Sequence, residues 1–345
     1  MTHIGPFFDG LGALTLHPDG IQVAVGFDSG YICLWSLENQ RLIGAVCHVA
    51  EYSHINDLAF SPDGTLLASA SEDGSVRIWD VSTQRELMRL APQRPNDDDP
   101  ELVYWERFYP LTLTFSPDGA LLACGQLGGG RIKVWDVHSG QERPPLRGHT
   151  ASRMALPYPQ LASPEELPDL PRPKHVVALT FSQDGQTLLS GSQDNTIRSW
   201  NLSTRENRVL VSPNTYSIDT LAMHPTERYF ASGGQVMVGF GQQAPPTAVI
   251  HCWDLHKTEP HVSLILDEPF VKKLVFTPDG AFLISVDPWG RICWWDTATW
   301  KLDGKARSMA PFSSHLLVSS DNRYLLSSGG SRRGSLVEVW RMRES

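Results

Sequence analysis

One segment of the chain, residues 58–81, recurs in altered form along the sequence, and this repetition restricts the possible folds. The segment reads LAFSPDGTLLASASEDGSVRIWDV and alternates apolar with polar residues, as at Leu58 and Phe60. Turn signals separate its apolar stretches at 62–64 (Pro-Asp-Gly) and 73–74 (Asp-Gly), because proline presets φ and glycine accepts a positive φ. The pattern predicts three short antiparallel strands joined by tight turns.

Six further segments keep the same order of strand, turn, strand, turn and strand. The third strand of each copy carries a marker tryptophan, and these are Trp35, Trp79, Trp135, Trp200, Trp253, Trp295 and Trp340. The predicted repeats lie near residues 10–47, 55–90, 110–147, 175–211, 218–266, 270–307 and 314–343. Because repeats of this kind bury their apolar faces against each other, we predict a single repeat domain over residues 1–345.

The chain resembles the WD40 repeat family over nearly all of its length. The Trp-Asp pair that gives the family its name is present at Trp79-Asp80, Trp135-Asp136, Trp253-Asp254 and Trp295-Asp296. The family's period is about 40–45 residues, with four strands in each unit. The resemblance implies an all-β fold, namely a seven-bladed β-propeller of four-stranded antiparallel blades.

Each copy shows three strands, so a fourth strand is needed to complete each blade. We predict it after the marker tryptophan, at residues 41–47, 85–90, 141–147, 207–211, 261–266 and 301–307. The seventh copy has no such segment, whereas residues 2–8 precede the first strand of the first copy. We therefore predict that residues 2–8 form the outer strand of the last blade and close the ring.

The resemblance also implies a structural network of a loop histidine, a turn aspartate, a hydroxyl residue and the marker tryptophan. Residues that match this pattern are Asp73, Ser69 and Trp79 in blade two, and Asp194, Ser190 and Trp200 in blade four. The family's Gly-His pair is found only as Gly148-His149. We expect the network in at most two blades, with apolar packing holding the others.

Three insertions interrupt the repeats, at residues 91–109, 150–174 and 233–247. The first two join an outer strand to the next blade, and the third joins the second and third strands of blade five. Alternate loops of an up-and-down blade emerge on opposite faces, so all three insertions belong to one face of the ring. Loops longer than about 12–15 residues are uncommon unless they are functional or disordered. This face is therefore the predicted binding surface.

Candidate contact residues on that face are aromatic or charged. The first insertion carries the residue types that dominate protein interfaces, although they could instead pack onto their own blade. Further candidates lie in the turns of blades six and seven, and the resemblance adds the residue before each turn aspartate in blades two and four. The full set is Tyr104, Trp105, Arg107, Phe108, Tyr109, Trp289, Arg332, Arg333, Glu72 and Gln193.

Composition and motifs limit the classes of function. A net charge of −9 argues against direct nucleic-acid binding. The first residues lack the features of a signal peptide, and no apolar run is long enough to span a bilayer. The five cysteines form no Cys-x-x-Cys pair, so we expect free thiols in the reducing cytoplasm.

We therefore predict a monomeric, non-catalytic scaffold that binds proteins or peptides, with no metal and no cofactor. One alternative is a ligand-responsive sensory or regulatory subunit of a larger complex. Another is a metal or small-molecule site in the central channel, for which Asp57, His175 and Asp219 are the nearest candidates. Two histidines, His17 and His224, replace a turn serine and are predicted to cap their turns.

Overall fold

The fold is given by a computed structural model, which describes most of the chain. The described residues are 2–7, 9–48, 53–90, 109–127, 130–149, 175–211, 218–226, 229–234, 247–257, 259–267, 270–309, 313–331 and 334–342. Within this part of the chain, no helix is long and apolar enough to cross a membrane.

Seven inner strands begin the seven blades. They are β2 Leu11–Leu16, β6 Ile55–Phe60, β10 Tyr109–Phe115, β14 Val176–Phe181, β18 Thr220–Met223, β22 Lys273–Phe276 and β26 Ser313–Val318. The second strands are β3 Gln22–Phe27, β7 Leu66–Ser71, β11 Leu121–Leu127, β15 Thr187–Ser192, β19 Tyr229–Gly233, β23 Phe282–Val286 and β27 Tyr324–Ser331.

The third strands carry the marker tryptophans. They are β4 Tyr31–Ser36, β8 Val76–Asp80, β12 Arg131–Asp136, β16 Ile197–Asn201, β20 Val249–Asp254, β24 Arg291–Asp296 and β28 Gly334–Arg341. The outer strands are β5 Arg41–Cys47, β9 Arg85–Leu90, β13 Glu142–Arg147, β17 Asn207–Val211, β21 Pro260–Ile265, β25 Lys301–Arg307 and, at the start of the chain, β1 Thr2–Phe7.

Antiparallel pairing joins these strands into seven four-stranded sheets, which confirms the predicted fold class for the described residues. Each inner strand contacts the inner strands of both neighbouring blades, and β26 contacts β2, so the blades form a closed ring. We call the face with the second-to-third-strand and outer-to-inner-strand loops the top face. The bottom face carries the other turns.

The ring closes through the start of the chain, as predicted. Strand β1 pairs with β28 in the sheet of blade seven, and Ile4 lies opposite Val337 in this ladder. The Ile4 side chain is only 3% exposed and packs in a cluster that includes residues of blades seven and one. Closure therefore pairs the outer edge of β28 with β1 and adds apolar contacts.

The core is divided into seven apolar clusters, each lying between two neighbouring blades. The cluster between blades two and three shows the arrangement, since Trp135 of blade three packs with Ala68, Ile78 and Leu90 of blade two. Every marker tryptophan lies in the cluster shared with the preceding blade. A large aromatic side chain once in each repeat thus fills the space between adjacent sheets.

Short turns on the bottom face are held by their first residue. In blade two, the Ser61 hydroxyl donates to Asp63 over 2.6 Å and accepts the backbone N–H of Leu66 over 2.9 Å. In blade one, His17 Nδ1 accepts the N–H of Asp19, which is the predicted capping role. Its Nε2 also lies 3.0 Å from the Gly64 carbonyl oxygen, so this histidine links two neighbouring blades as well.

Four of the six outer strands predicted after a tryptophan have the expected bounds, and two differ by one residue. Strand β13 begins at Glu142, one residue later than predicted, although the Gln141 carbonyl still accepts the N–H of Asp136. Strand β21 covers Pro260–Ile265, so it begins and ends one residue earlier than predicted.

Candidate functional site

The described parts of the top face show where the insertions are attached. Leu90 ends an outer strand and Tyr109 begins the next inner strand, so the first insertion starts and ends at the top face. The residues between strands β13 and β14, and between β19 and β20, leave and enter the ring at the same face. Most residues of these insertions, and the candidates Tyr104, Trp105, Arg107, Phe108, Arg332 and Arg333, lie outside the described residues.

Glu72 and Gln193 occupy equivalent positions at the top of blades two and four. Each is exposed and follows the end of a second strand. The N–H of Glu72 donates to the His54 carbonyl over 3.0 Å, and that of Gln193 donates to the His175 carbonyl over 3.1 Å. These bonds fix both backbones against the incoming inner strand, which leaves the two polar side chains available to solvent.

Trp289 is the most exposed tryptophan among the described residues, at 42%. It lies in the turn between the second and third strands of blade six, where its backbone N–H donates to Asp287 Oδ1 over 2.8 Å. Its ring lies 5.5 Å from that of Phe270, at an interplanar angle of 58°. Tyr109 is half-buried at the start of β10, opposite the exposed Leu127. Both aromatic candidates therefore lie at the top face, in different blades.

Blade two contains a continuous hydrogen-bonded chain behind this face. Trp79 Nε1 donates to Ser69 Oγ over 2.8 Å, and Ser69 Oγ lies 2.6 Å from His48 Nε2. His48 Nδ1 lies 3.4 Å from Asp73 Oδ2, which also accepts from Arg77. Because an indole nitrogen only donates, the serine can donate to His48 Nε2 and the histidine can donate to the aspartate.

Electrostatics favour the ionised aspartate of this chain. Burial alone would raise the pKa of Asp73, but hydrogen bonds from His48 and Ser75 outweigh burial and hold its pKa well below the usual range. Burial lowers the pKa of His48, against the opposing effect of Asp73. The blade-two network thus holds a carboxylate that is stabilised by several donors in a mostly buried position.

Blade four repeats the arrangement, with a shorter histidine–aspartate contact. Trp200 Nε1 donates to Ser190 Oγ over 2.8 Å, and Ser190 Oγ lies 2.7 Å from His149 Nε2. His149 Nδ1 lies 2.9 Å from Asp194 Oδ2. Burial acts to raise the pKa of Asp194, but the hydrogen bond from His149 and those from Thr196 lower it overall. The structure therefore brings together all the network residues proposed for blades two and four.

His48 was not predicted as a member of the network, because no glycine precedes it. Its position directly after an outer strand, equivalent to that of His149, was the available signal. Apolar packing was expected to hold the other blades, and in blades five and six a hydrogen bond of the marker tryptophan adds to it. Trp253 Nε1 donates to Ser232 over 2.7 Å in blade five, and Trp295 Nε1 donates to Ser285 over 3.1 Å in blade six. Part of the network therefore persists where the turn aspartate is missing.

Blade seven uses a different buried acid. Glu338 is fully buried and accepts from the Ser308 hydroxyl over 2.6 Å and from the Met309 N–H over 2.8 Å. Ser308 follows outer strand β25, as His48 and His149 follow theirs. A glutamate on the third strand therefore replaces the turn aspartate and fixes the loop that leads into blade seven. Neither residue stood out in the sequence.

Asp57 on inner strand β6 and His315 on inner strand β26 are titratable residues near the centre of the ring. Asp57 Oδ2 accepts the N–H of Leu113 over 2.7 Å, which ties blade two to blade three. Burial raises the pKa of Asp57 despite nearby Lys273, and burial together with Lys273 and Lys272 lowers the pKa of His315 to about 3. Across the described residues, no group of three or more His, Cys, Asp or Glu side chains is placed to hold a metal ion.

The cysteines offer little reactivity where they are described. All five are free, and Cys124 and Cys252 are buried. Burial raises the pKa of Cys252 to about 12, so this thiol stays protonated at neutral pH. The candidate site therefore has two parts. Exposed contact residues lie at the top face, and the hydrogen-bonded networks of blades two and four lie beneath it.

Comparison with known proteins gives a family match to three of the blades. The family model described as "WD domain, G-beta repeat" matches residues 45–80, 110–136 and 170–201. Periodic tryptophan protein 2 of Arabidopsis thaliana is 26% identical over 280 residues, covering 66% of this chain and 28% of that protein. Nuclear distribution protein PAC1-2 of Uncinocarpus reesii is 28% identical over 204 residues, covering 53% of this chain and 38% of that protein. The chain thus matches about a third of the length of these relatives.

Proposed function

We propose that this chain, a WD40-repeat protein folded as a seven-bladed β-propeller, is a non-catalytic scaffold that binds protein or peptide partners. The observation that supports this role best is the concentration of irregular features on one face. All three insertions are attached at the top face, which also presents Glu72, Gln193 and Trp289 to solvent. The bottom face has short turns whose side chains are largely used in local hydrogen bonds.

The proposed contact surface extends over several blades. The first insertion supplies Tyr104, Trp105, Arg107, Phe108 and Tyr109, and the turns supply Trp289, Arg332, Arg333, Glu72 and Gln193. Aromatic and arginine side chains bury much area for little loss of conformational freedom, which is why they dominate binding energy at interfaces. The networks of blades two and four would hold the turns behind Glu72 and Gln193 in one conformation.

The setting we propose follows from charge and cysteine content. A net charge of −9 disfavours direct contact with nucleic acid, so the partners are proteins or peptides. Five free cysteines suit the reducing cytoplasm, where we place the protein. The closed ring leaves no unpaired edge between blades one and seven, and we expect the propeller itself to be monomeric.

A capture experiment on the first insertion tests this role. Purified wild type is compared with Tyr104→Ala/Trp105→Ala and with a variant in which residues 91–109 are shortened. The control is Glu38→Ala/His138→Ala, two exposed positions in bottom-face turns. We expect reduced partner recovery for the first two variants and unchanged recovery for the control. If partner recovery and affinity are unchanged in all variants, the first insertion is not part of the proposed surface.

A further inference from the structure

The top of blade six presents an apolar patch, which we define by Phe270, Trp289 and Met309. The rings of Phe270 and Trp289 are in contact at 5.5 Å. The N–H of Ser308 donates to the Gly290 carbonyl over 2.7 Å, which places the Ser308–Met309 loop beside the Trp289 turn. Met309 is 75% exposed. The exposed Trp289 and Met309 and the half-buried Phe270 therefore come from three neighbouring loops, and such exposure of large apolar side chains is uncommon without a partner.

The turn that carries Trp289 is rigidly held. Asp287 Oδ1 accepts two backbone N–H groups, from Trp289 and from Arg291, each over 2.8 Å. Gly290 adopts a positive φ of 81°, which permits the tight return of the chain. Arg291 Nε lies 3.2 Å from Asp287 Oδ2. The indole is thus positioned before any partner arrives, which reduces the entropic cost of binding.

Basic side chains surround this patch. Lys272 is exposed on the loop that leads into β22, and Arg307 is exposed at the top end of β25, opposite Arg291. Lys305 is also exposed and lies 3.7 Å from Asp267. Among the described residues, these four exposed cations accompany the carboxylates Asp287 and Asp267 and the buried Glu338, which accepts the Met309 N–H. The exposed cations thus outnumber the described carboxylates nearby, in a chain whose net charge is −9.

We propose that the patch of Phe270, Trp289 and Met309 binds an acidic, extended protein segment that carries at least one large apolar side chain. The apolar side chain would lie against Trp289, and flanking carboxylates would face Lys272 and Arg307. This inference rests on the proposed function, because it takes the top face to be the partner surface. It uses blade six alone and needs none of the three insertions.

Synthetic peptides test the proposal directly. One fluorescent peptide carries phenylalanine and leucine among glutamates and aspartates, a second replaces the acidic residues with lysines, and a third replaces the apolar residues with alanine. Fluorescence anisotropy with the full chain is expected to show saturable binding of the first peptide, weakened by added salt. The second and third peptides should bind at least about tenfold more weakly, since each lacks one part of the recognised chemistry.

Variants locate the binding site. Trp289→Ala should weaken the first peptide by about tenfold, as expected for a hot-spot aromatic residue. Lys272→Glu/Arg307→Glu should weaken it to a similar extent and reduce the salt dependence. The matched controls are Leu302→Ala and Lys301→Glu, which are exposed residues at the bottom end of β25. These should bind as the wild type does, and circular dichroism checks the fold of each variant.

Several results would overturn the proposal. They are equal binding of all three peptides, loss of binding in the bottom-end controls, or tighter binding of a single-stranded oligonucleotide than of the acidic peptide. Failure here is distinguishable from failure of the scaffold role. If the acidic peptide does not bind but partner recovery still depends on residues 91–109, the scaffold stands and the blade-six inference falls.

Discussion

Ser69 and Ser190 each lie between an indole N–H and an imidazole nitrogen, and this position gives each serine two hydrogen bonds in the interior. At the residue scale, these chains link the centre of a blade to its top-face turn. The aspartate at the end of each chain accepts several hydrogen bonds in its ionised form. Its charge is therefore a source of stability that depends on pH.

Replacing Asp194 with alanine should expose this dependence. The change removes the carboxylate that accepts from the Thr196 N–H and hydroxyl and lies 2.9 Å from His149 Nδ1, so we expect a loss of about 3 kcal/mol at about pH 7. The pKa of Asp194 is lowered in the folded protein, so its stabilisation is present above the ordinary value of 3.8 and is lost as the pH falls through the folded value. Urea denaturation should show that the difference in free energy of unfolding between wild type and variant becomes smaller below about pH 4.

The control for this series is Asp303→Ala, an exposed carboxylate on outer strand β25. It should cost less than about 0.5 kcal/mol at every pH. If the loss of unfolding free energy caused by Asp194→Ala stays constant from neutral to acid pH, the role assigned to the charged carboxylate is wrong.

At the element scale, strand placement was largely predictable because alternating apolar residues and Pro-Asp-Gly turns mark each strand. The marker tryptophans could be assigned to third strands for the same reason. Their packing against the preceding blade could not be predicted, because a periodic pattern shows which face of a strand is apolar but not which neighbouring blade packs against it. His48 and the Ser308–Glu338 pair were also missed, because they join segments that no local pattern connects.

The closing strand offers a test of how much the ring depends on it. Ile4→Ala should lower the free energy of unfolding by about 2–3 kcal/mol, because it leaves a cavity between β1 and the core. The matched control is Leu42→Ala on outer strand β5, where the side chain is 50% exposed and the expected loss is under about 1 kcal/mol. Equal losses for the two variants in urea denaturation would argue against a closed ring.

The turns between third and outer strands show a shared backbone requirement. Residues with a positive φ recur at the equivalent position of these turns, and they are Gln40, Gln84, Gly140, Arg205 and Trp300. Gln40→Gly should change stability by less than about 0.5 kcal/mol, whereas Gln40→Val should lose about 1 kcal/mol or more through strain. Thermal denaturation measures both, with Glu38→Val as the control in the same turn. A tolerated valine at position 40 would contradict the assigned conformation.

At the scale of the whole molecule, the two faces of the ring differ. The three insertions attach at the top face, whereas the bottom face has short turns. The strand ends to which the three insertions attach could be assigned to one face from strand parity alone. The patch at blade six was not predictable, because Phe270 and Met309 are each about twenty residues from Trp289 in the chain. Only the folded ring brings the Phe270 ring against Trp289 and the Ser308–Met309 loop beside the Trp289 turn. The exposed cations around Lys272 likewise could not be inferred from the net charge of the whole chain, which is −9.

The most direct test of the central claim compares the two faces in one quantitative capture experiment. The bait is wild type, a top-face variant (Glu72→Ala, Gln193→Ala, Trp289→Ala) or a bottom-face variant (Glu38→Ala, His138→Ala, Lys301→Ala), and partners from the native host are measured by mass spectrometry. We predict that the bottom-face variant recovers the wild-type partners and that recovery of at least one partner falls about tenfold with the top-face variant. Identical recovery by all three baits, or loss with the bottom-face variant alone, would contradict this prediction.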